Sequence, residues 1–460
     1  MKLENKLVLV LGLGETGLSL VRWLSAQDAR VHAADTRDLP PSVEVLRTHF
    51  PQVELHCGKF SSELLDGVDL IAISPGVPLD DQFVLLAATR GIQIMGDVEL
   101  FMRSLPQHGR PKVIAITGAN GKTTVTSMVG AMCRAAGLDT EVAGNISPAV
   151  LDALLKRQGR QPDVWVLELS SFQLEATSSL GADVATVLNI SEDHLDRYSD
   201  MDEYISAKAR IFNDDSESGA QVLNRDDART MGMALSARAQ HSFGLSSPPL
   251  SDRDWGVDLS DESVWLMHGQ RRVMSANDLR VVGLHNVANA LAALALCNVI
   301  GLPLQSSLAA LRAFDGLPHR MQPVAEINDV IYYDDSKGTN VGATVAALQG
   351  LKRPAVLIAG GDGKGQNFSP LYFAVAKHAR AVVLIGRDAD KIATALGDCG
   401  VPVVNAQDMS DAVRQSASLA QPGDAVLLSP ACASFDMFRN YSHRAEAFGV
   451  AVDALQGARV

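Results

Sequence analysis

The sequence has few cysteines, few aromatic residues and no excess of positive charge. Its five cysteines lie far apart and match no zinc or disulfide pattern, so we expect free thiols in a reducing compartment. Lysine and arginine number 40 against 53 aspartate and glutamate residues, which gives a formal net charge of −13. That charge argues against nucleic acid or an anionic membrane as a partner.

Long apolar runs, internal repeats and low-complexity tracts are also missing. The most apolar long stretch, residues 287–301, is too short and too rich in alanine to span a membrane. The N-terminal apolar run meets Gly12 and Gly14 at once, which is typical of a buried strand and not of a secretory signal. We therefore expect a cytoplasmic protein that does not contact the membrane, and we expect it to be a monomer.

The length of 460 residues exceeds what one hydrophobic core usually supports. Residues 6–10, 112–116 and 355–359 are short apolar runs that each end at a glycine-bearing loop. Such runs, alternating with helical patterns, are typical of parallel strands joined by helices. Turn-rich stretches at 105–111 and 316–323 separate the segments. The sequence predicts an α/β protein of three domains: residues 1–107, 108–317 and 318–460.

A glycine-rich loop follows the first predicted strand. Residues 12–17, GLGETG, fit G-x-G-x-x-G, and Asp35 ends the next predicted strand 18 residues after Gly17. In Rossmann-like domains such glycines let backbone amides approach a phosphate, and the acid accepts a ribose hydroxyl. A tight turn without a ligand is the alternative. A second turn, Ser74-Pro75-Gly76, is expected at the same sheet edge and is equally compatible with a simple turn.

The strongest signal is a second glycine loop, residues 114–124, IAITGANGKTT. A buried strand runs into this loop, and Gly-Lys-Thr opens a helix. Such loops turn backbone amides towards phosphates, the lysine reaches the β- and γ-phosphates, and the threonine binds Mg²⁺. The usual spacing requires glycine where this chain has Ile116, so Gly118 makes the loop a compact variant. The pattern predicts ATP binding in a central P-loop ATPase-like domain.

Acidic residues follow the next two predicted strands. Glu168 ends one of them, where a carboxylate is a typical Mg²⁺ ligand beside a phosphate loop, although a helix cap is the alternative. Residues 191–196, SEDHLD, follow the other strand and are either a solvated acidic turn or part of a site. His194 adds little to the second interpretation, because imidazole is an uncommon Mg²⁺ ligand.

Lys208 interrupts an apolar helix face. The face is predicted for one helix from the spacing of Met201, Tyr204, Ile205, Ile211 and Phe212. A lysine at that position either extends its ammonium to solvent or is desolvated. A desolvated, neutral amine can add CO₂ to give a carbamate, which turns a cation into a metal-binding anion.

Four short turns in the last third place cations and hydroxyls on loops. They are residues 316–320, 333–340, 360–364 and 429–434. Each alone is compatible with an ordinary turn. Together they predict a ligand-binding edge of a C-terminal α/β sheet, which we expect to be Rossmann-like.

With these motifs in view, the chain resembles the Mur ligases, which are ATP-dependent acid–amino-acid ligases of peptidoglycan synthesis. The resemblance covers nearly the whole length and is carried by GLGETG, SPG, TGANGKTT, GNIS, LELSSFQLE, NISEDHLDRY, AKARI, HNVANALAA, GLPHR, DDSKGTN, GGDGK and SPACAS. The short N-terminal domain resembles that of the member that adds D-glutamate to UDP-N-acetylmuramoyl-L-alanine. The resemblance implies an acyl-phosphate intermediate, two Mg²⁺ ions, and ADP and phosphate as products.

The resemblance also implies roles for individual residues. ATP would be held by Gly118, Ala119, Asn120, Gly121, Lys122, Thr123 and Thr124, with Asn289, Arg320 and Asp335 around the nucleoside. The UDP substrate would be held by Thr16, Asp35, Thr36, Arg37 and Gly76, with Asn145 and Ser170 nearby. D-glutamate would be held by Thr339, Lys364, Ser434, Phe435 and Tyr441. Thr123 and Glu168 would bind one Mg²⁺, and His194 and a carbamylated Lys208 the other. Catalysis would fall to Lys122, Asn145, Glu168, His194 and Lys208.

Other functions account for parts of the pattern. An NAD-dependent dehydrogenase explains the first glycine loop and Asp35 but not the phosphate loop. A non-catalytic nucleotide switch explains the phosphate loop but not a second nucleotide site. Another Mur ligase or a folate polyglutamate ligase is the nearest alternative among enzymes. Residues 213–280 contain a predicted hairpin, and no chemistry is assigned to them.

Overall fold

The computed structural model describes residues 2–106, 108–212, 219–246, 251–260 and 263–457. These residues form three β-sheets with helices on their faces, as the sequence predicts. The domain limit expected at residue 107 falls outside the described residues, as do residues 213–218, 247–250 and 261–262 of the segment without assigned chemistry. No helix in the described ranges is long and apolar enough to cross a membrane.

The first sheet has five parallel strands in the order β3-β2-β1-β4-β5. Its strands are β1 (Leu7–Leu11), β2 (Arg30–Asp35), β3 (Glu54–Cys57), β4 (Leu70–Ile73) and β5 (Gln93–Gly96). Its helices are α1 (Glu15–Ser25), α2 (Val43–His49), α3 (Gln82–Thr89) and α4 (Asp97–Ser104), with a 3₁₀ turn at Ser62–Leu65. Strands β2 and β3 are added on one side of β1, and β4 and β5 on the other. The loops after β1 and β4 therefore leave in opposite directions and border a crevice.

The second sheet has nine strands in the order β14-β13-β12-β11-β10-β9-β6-β8-β7. The strands are β6 (Lys112–Thr117), β7 (Thr140–Gly144), β8 (Val164–Glu168), β9 (Val184–Val187), β10 (Ala220–Asn224), β11 (Ala239–Phe243), β12 (Asp254–Asp258), β13 (Trp265–His268) and β14 (Arg271–Ser275). The helices are α5 (Lys122–Ala135), α6 (Val150–Lys156), α7 (Ser171–Glu175), α8 (Met201–Ala209), α9 (Ala228–Met231), α10 (Leu284–Val299) and α11 (Leu304–Ala313), with 3₁₀ turns at Arg210–Phe212 and Ala276–Asp278. Strands β13 and β14 form the predicted hairpin.

The third sheet has six strands in the order β15-β16-β20-β17-β18-β19, and β15 alone is antiparallel to its neighbour. The strands are β15 (Gln322–Ile327), β16 (Val330–Asp334), β17 (Ala355–Gly360), β18 (Ala379–Ile385), β19 (Val403–Asn405) and β20 (Ala425–Leu428). The helices are α12 (Val341–Gly350), α13 (Leu371–His378), α14 (Ala389–Leu396), α15 (Met409–Leu419) and α16 (Tyr441–Gly457).

The prediction of one helix from Met201 to Phe212 is wrong at its C-terminal end. Helix α8 ends at Ala209, and Ile211 and Phe212 lie in the following 3₁₀ turn. Both side chains are nevertheless buried. The tighter turn satisfies the last carbonyl groups of α8 while keeping these apolar side chains in the core.

The first and second sheets share one apolar core, whereas the third sheet has its own. Val10 of β1 and Val113 of β6 belong to the same cluster of buried side chains, and Phe101 packs edge-on against Trp165 at 4.8 Å between ring centroids. The clusters of the third sheet contain only residues after position 320. Its contacts with the second sheet include several polar ones, described below. Polar interfaces of this kind permit relative domain motion more readily than a shared apolar core.

Candidate active site

The phosphate loop joins β6 to α5 at the centre of the second sheet. Gly118 and Gly121 have φ angles of +153° and +85°, which residues with a side chain rarely adopt. A Cβ atom at Gly121 would lie 2.5 Å from the Oδ1 atom of Asn289 on α10. Gly121 therefore lets the loop lie against α10, and Gly118 lets it lie against Leu188 after β9, with the backbone amides at the start of α5 available to an anion.

Lys122 lies over the phosphate loop. Its ammonium group donates hydrogen bonds to the carbonyl oxygens of Gly118 and Ala119, at 2.8 and 3.0 Å. Burial lowers the pKa of Lys122, and the carboxylates of Glu168 and Asp193 act in the opposite direction. The lysine is thus held where it can neutralise charge on a phosphate bound by the loop.

Glu168 is buried at the end of β8 with half of its carboxylate unpaired. Its Oε1 atom accepts a hydrogen bond from the Asn145 side chain at 2.8 Å, while its Oε2 atom has no hydrogen-bond partner among the described residues. The helix-cap alternative for Glu168 is wrong, because Ser170 caps α7 and accepts a hydrogen bond from the Gln173 amide at 3.1 Å. A buried, unpaired carboxylate oxygen beside a phosphate loop fits the oxygen ligands that Mg²⁺ prefers.

Thr123, the other residue expected at this metal, lies in the first turn of α5. Its hydroxyl group accepts a hydrogen bond from the Arg320 guanidinium at 2.9 Å. Burial lowers the pKa of Arg320, and the carboxylates of Asp335 and Glu168 oppose that effect. In the described part of the chain, no three histidine, cysteine or acidic side chains form a ready-made metal cluster. A metal ion held by Thr123 and Glu168 would therefore need further oxygen ligands, such as those of a bound substrate.

Lys208 is 2% exposed, so the interpretation that it extends to solvent is wrong. Its nitrogen donates to the carbonyl oxygen of Gly118 at 3.0 Å and lies 4.8 Å from the centre of the Tyr204 ring. Burial, followed by repulsion from Lys122, lowers the pKa of Lys208 well below its usual value. The amine is thus buried beside the phosphate loop in an environment that disfavours its charged form.

His194 lies on the loop after β9 with a positive φ angle of +57°. Its ring packs edge-on against Phe172 at 4.8 Å between centroids. Burial lowers the pKa of His194 to about 4, although the neighbouring Asp193 carboxylate favours the charged form. The imidazole is therefore neutral at neutral pH and able to ligate a metal.

A cavity of 620 Å³ lies between the first and second sheets. Its lining includes all seven residues expected to hold the UDP substrate: Thr16, Asp35, Thr36, Arg37, Gly76, Asn145 and Ser170. They lie at the start of α1, at the end of β2 and in the loops after β2 and β4 on one side, and in the loops after β7 and β8 on the other. We call this space the first cavity. Because Asn145 also bonds Glu168, the first cavity adjoins the carboxylate beside the phosphate loop.

Asp35 organises one wall of the first cavity. Its carboxylate accepts hydrogen bonds from the Leu13 amide at 2.7 Å and from the amide and guanidinium group of Arg37 at 2.6–2.9 Å. Burial alone would raise the pKa of Asp35, but these hydrogen bonds outweigh it and lower the pKa. The acid thus fixes both the glycine loop and the cation next to it.

A second cavity of 310 Å³ separates the phosphate loop from the third sheet. Among the residues expected to bind ATP, its lining includes Asn120, Gly121, Thr124, Asn289, Arg320 and Asp335. Gly118, Ala119, Lys122 and Thr123 do not line it and belong to the loop and the helix start beside it. Burial raises the pKa of Asp335 to about 7, although Ser429 donates a hydrogen bond to it at 2.7 Å.

None of the five residues expected to bind D-glutamate lines either cavity. Lys364 pairs with Asp193 of the second domain at 2.9 Å. Ser434 is buried, Phe435 is 74% exposed, and Tyr441 lies 5.2 Å below the Lys337 ammonium. The backbone of Thr339 donates to the carbonyl group of Lys337 at 3.0 Å. An isolated bridge between Asp362 and Ala433 brings the loops of Lys364 and Ser434 together, whereas the binding role of all five stays a prediction.

Three family models match successive parts of the chain. They are the MurD-like N-terminal domain of Mur ligases at residues 6–96, the Mur ligase middle domain at 116–297, and the glutamate ligase domain of Mur ligases at 319–432. The chain belongs to the Mur ligase family. The dehydrogenase and the non-catalytic switch are therefore wrong as functions for it.

Relatives and solved structures resemble this Mur ligase along its whole length. The UDP-N-acetylmuramoylalanine–D-glutamate ligase of Nitrosospira multiformis is 57% identical, over 100% of this chain and 98% of the relative. The enzyme of that name from Methylobacillus flagellatus is 56% identical, over 100% and 99%. The structure of UDP-N-acetylmuramate-alanine ligase MurC from Thermotoga maritima shares the fold, with a TM-score of 0.60 at 19% identity over 98% of this chain and 99% of that one.

Sequence reasoning missed the polar residues that join the second and third domains of this Mur ligase. Asp193 contacts Lys364, Glu192 accepts a hydrogen bond from the Asn367 amide at 3.0 Å, and Asn340 contacts the phosphate loop. Two of the motifs, NISEDHLDRY and DDSKGTN, contain Glu192, Asp193 and Asn340. No local spacing relates them to partners more than 140 residues away.

Proposed function

We propose that this Mur ligase joins D-glutamate to UDP-N-acetylmuramoyl-L-alanine and converts ATP to ADP and phosphate in peptidoglycan precursor synthesis. The relatives named above support this choice of substrates, since they are named as that ligase and match this chain over nearly their whole length. The structural observation that carries the proposal is the first cavity, whose lining includes all seven residues expected for the UDP substrate. Each cavity is lined by residues of a single chain, which fits the monomer that we propose. We also propose that the enzyme acts in the cytoplasm.

The reaction needs activation, because a carboxylate is a poor electrophile. The alanyl carboxylate attacks the γ-phosphate of ATP, ADP leaves, and an acyl phosphate forms. The amine of D-glutamate then attacks that carbonyl carbon and loses a proton to solvent, and phosphate leaves with the bonding electron pair. The first step brings two anions together, so Lys122 and the amides at the start of α5 would stabilise the developing charge. The position of the bound substrates supplies most of the remaining acceleration.

We propose two Mg²⁺ sites beside the phosphate loop. Thr123 and Glu168 would hold one ion, and the unpaired Oε2 atom of Glu168 supports this assignment. His194 and Lys208 would hold the other, with Lys208 as a carbamate. Mg²⁺ would neutralise phosphate charge and polarise the oxygens that bind it. The carbamate forms when the neutral Lys208 amine attacks CO₂, which creates an N–C bond and releases a proton to solvent.

We assign one substrate to each domain. Residues 1–107 would bind the UDP substrate, 108–317 ATP and 318–460 D-glutamate. Residues 316–323 would act as the hinge about which the last domain moves, because that domain has separate apolar clusters and meets the second domain through polar contacts. Lys364 and Ser434 would then meet the acyl phosphate at the domain interface.

Phosphate release measured with UDP-N-acetylmuramoyl-L-alanine and a panel of amino acids tests the proposal. We expect release that depends on D-glutamate and on Mg²⁺. L-glutamate is the matched control, since it differs only in configuration. Preferred release with L-alanine, L-lysine or diaminopimelate would assign the chain to another step of the same family. The same assay with a folate in place of the UDP substrate tests the folate alternative.

A further inference from the structure

Asn120 of the phosphate loop and Asn340 of the third domain form a reciprocal pair of side-chain amides. Asn120 donates through Nδ2 to Asn340 Oδ1 at 3.2 Å, and Asn340 donates through Nδ2 to Asn120 Oδ1 at 3.0 Å. The two residues are 220 positions apart in the chain. Each amide therefore uses a donor and an acceptor on the other, which fixes their relative orientation more tightly than a single hydrogen bond would.

Both residues are anchored within their own domains, Asn120 through its backbone and Asn340 through its side chain. The backbone amide of Asn120 donates to the Asn189 side chain at 2.8 Å, and its carbonyl group accepts from that side chain at 3.0 Å. Asn340 is the N-cap of α12, where its Oδ1 atom also accepts from the Ala343 amide at 2.9 Å. The pair thus connects two rigid elements, the phosphate loop and the start of α12.

The backbone of α12 closely approaches Ser191 and the Asn120 side chain next to this pair. A Cβ atom at Gly342 would lie 3.1 Å from the Ser191 hydroxyl oxygen and 3.3 Å from the Asn120 amide nitrogen. Gly342 also lines the second cavity with Ala343, Ala346 and Ala347, opposite Asn120 and Gly121. The second cavity is therefore complete only when α12 is docked against the phosphate loop.

The same docking places the loops expected to bind the amino acid. Thr339 immediately precedes Asn340, and Lys364 reaches Asp193 beside it. The Lys364–Asp193 ion pair is attractive over several ångströms, so it defines distance better than orientation. The amide pair is neutral and directional. It therefore constrains the rotational position of the third domain on the second more tightly than the ion pair does.

We propose that the Asn120–Asn340 amide pair is a positioning contact that couples an occupied phosphate loop to the placement of the D-glutamate-binding loops. The inference rests on the proposed function and adds to it a route by which ATP binding prepares the second substrate site. Asn340 acts through α12 and through the loop of residue 339, and it is a positioning residue.

Asn340→Ser tests the proposal with little change to α12. Serine is as good an N-cap as asparagine, but its side chain is too short to reach Asn120. We expect the KM for D-glutamate to rise about tenfold, as for two lost hydrogen bonds, while the KM for the UDP substrate stays within about twofold. The UDP substrate should be unaffected because the lining of the first cavity includes no residue of the third domain.

A double-mutant cycle with Asn120→Ser separates the pair from its surroundings. If the pair acts as proposed, the double variant has nearly the same KM for D-glutamate as the Asn340→Ser variant. Asp408→Ser is the matched control, since Asp408 caps α15 through the Asp411 amide at 2.8 Å on an exposed surface. Asn340→Asp keeps the cap, removes the donor that reaches Asn120 and Asp193, and adds a negative charge beside Asp193, so it gives a second measurement should the serine variant fold poorly. An unchanged KM for D-glutamate in these Asn340 variants, or fully additive single effects, would overturn the proposal.

Small-angle scattering with a non-hydrolysable ATP analogue supplies a readout that does not depend on the amino acid. We expect the analogue to compact the wild-type protein and to compact the Asn340→Ser variant less. If wild-type protein releases no phosphate with D-glutamate, the proposed function fails while this measurement still tests the coupling. Equal compaction of the two proteins refutes the coupling even when the ligase activity is established.

Discussion

Lys122 and Lys208 direct their side-chain nitrogens to the same acceptor, the carbonyl oxygen of Gly118, at 2.8 and 3.0 Å. The lysines come from different helices, α5 and α8, and meet at the loop that joins β6 to α5. Burial lowers the pKa of each, and the charge of Lys122 lowers that of Lys208 further. The environment disfavours charge more strongly on Lys208, the residue proposed above as a carbamate, than on Lys122.

Lys122→Ala should reduce the turnover number at least ~10²-fold, because a cation that stabilises charge at the reacting phosphate is lost. Phosphate release under saturating substrates measures this. Lys112→Ala is the matched control, since Lys112 begins the same strand, β6, and makes only an exposed ion pair with Asp183. Near-normal turnover in a well-folded Lys122→Ala protein would remove Lys122 from the mechanism.

Lys208→Ala should be nearly inactive, and acetate should restore part of the activity by supplying the missing anion. Reversible loss of activity after removal of CO₂ and bicarbonate provides a second measurement, with Lys156→Ala on the surface end of α6 as the control. An experimental density map with both metals bound and an unmodified lysine at position 208 would exclude the carbamate. Retention of most activity by Lys208→Ala would exclude it as well.

Asp35→Ala should raise the KM for the UDP substrate and leave the KM for ATP nearly unchanged. The reason is that Asp35 fixes Leu13 and Arg37 in the wall of the first cavity, and the lining of the second cavity includes none of these residues. Asp66→Ala, at an exposed position in the same domain, is the control. An equal rise for ATP would show that Asp35 serves the fold generally and not the UDP site.

Asp97→Asn should change the pH dependence of stability. Burial raises the pKa of Asp97 to about 6, from 3.8 in the unfolded chain, so the folded protein binds a proton more tightly. Its contribution to the free energy of unfolding is complete below pH 3.8 and is lost as the pH rises through 6, by about 3 kcal/mol in total. Asparagine does not ionise and can still accept the hydrogen bond that the Gln173 side chain donates at 3.0 Å.

Denaturant unfolding of both proteins at pH 4, 6 and 8 measures this effect. The stability of the variant relative to wild type should increase from pH 4 to pH 8. Asp66→Asn replaces an exposed aspartate of the same domain and should leave the difference constant. Parallel pH profiles for Asp97→Asn and wild type would contradict a raised pKa for the buried Asp97.

The parts of the site that depend on local spacing could be predicted from the sequence. A glycine loop between a strand and a helix fixes the position of Lys122 within four residues of Gly118, whatever the rest of the fold does. The apolar spacing around Lys208 likewise indicated an anomalous lysine, although helix α8 ends earlier than that spacing implies. Both are short-range patterns in which the backbone geometry determines which side chains meet.

Contacts between domains could not be predicted in the same way. Asn120 and Asn340 are common polar residues in loops, and nothing in their neighbourhoods distinguishes one that faces another domain from one that faces water. The lining of the second cavity by Lys337 and His285 depends on the same docking and was missed for the same reason. Motif resemblance could place these segments near a site, but only the packing of three sheets could pair them.

The free thiols have a practical consequence for studying this protein. Four of the five cysteines are buried, and Cys57 is the partly exposed one. Cys57 pairs in register with Asp35 across β3 and β2. A thiol-reactive fluorophore should therefore label the native chain at a single position, one strand away from the first cavity. The unmodified sequence thus supplies an attachment point for following substrate capture by fluorescence, without prior removal of other cysteines.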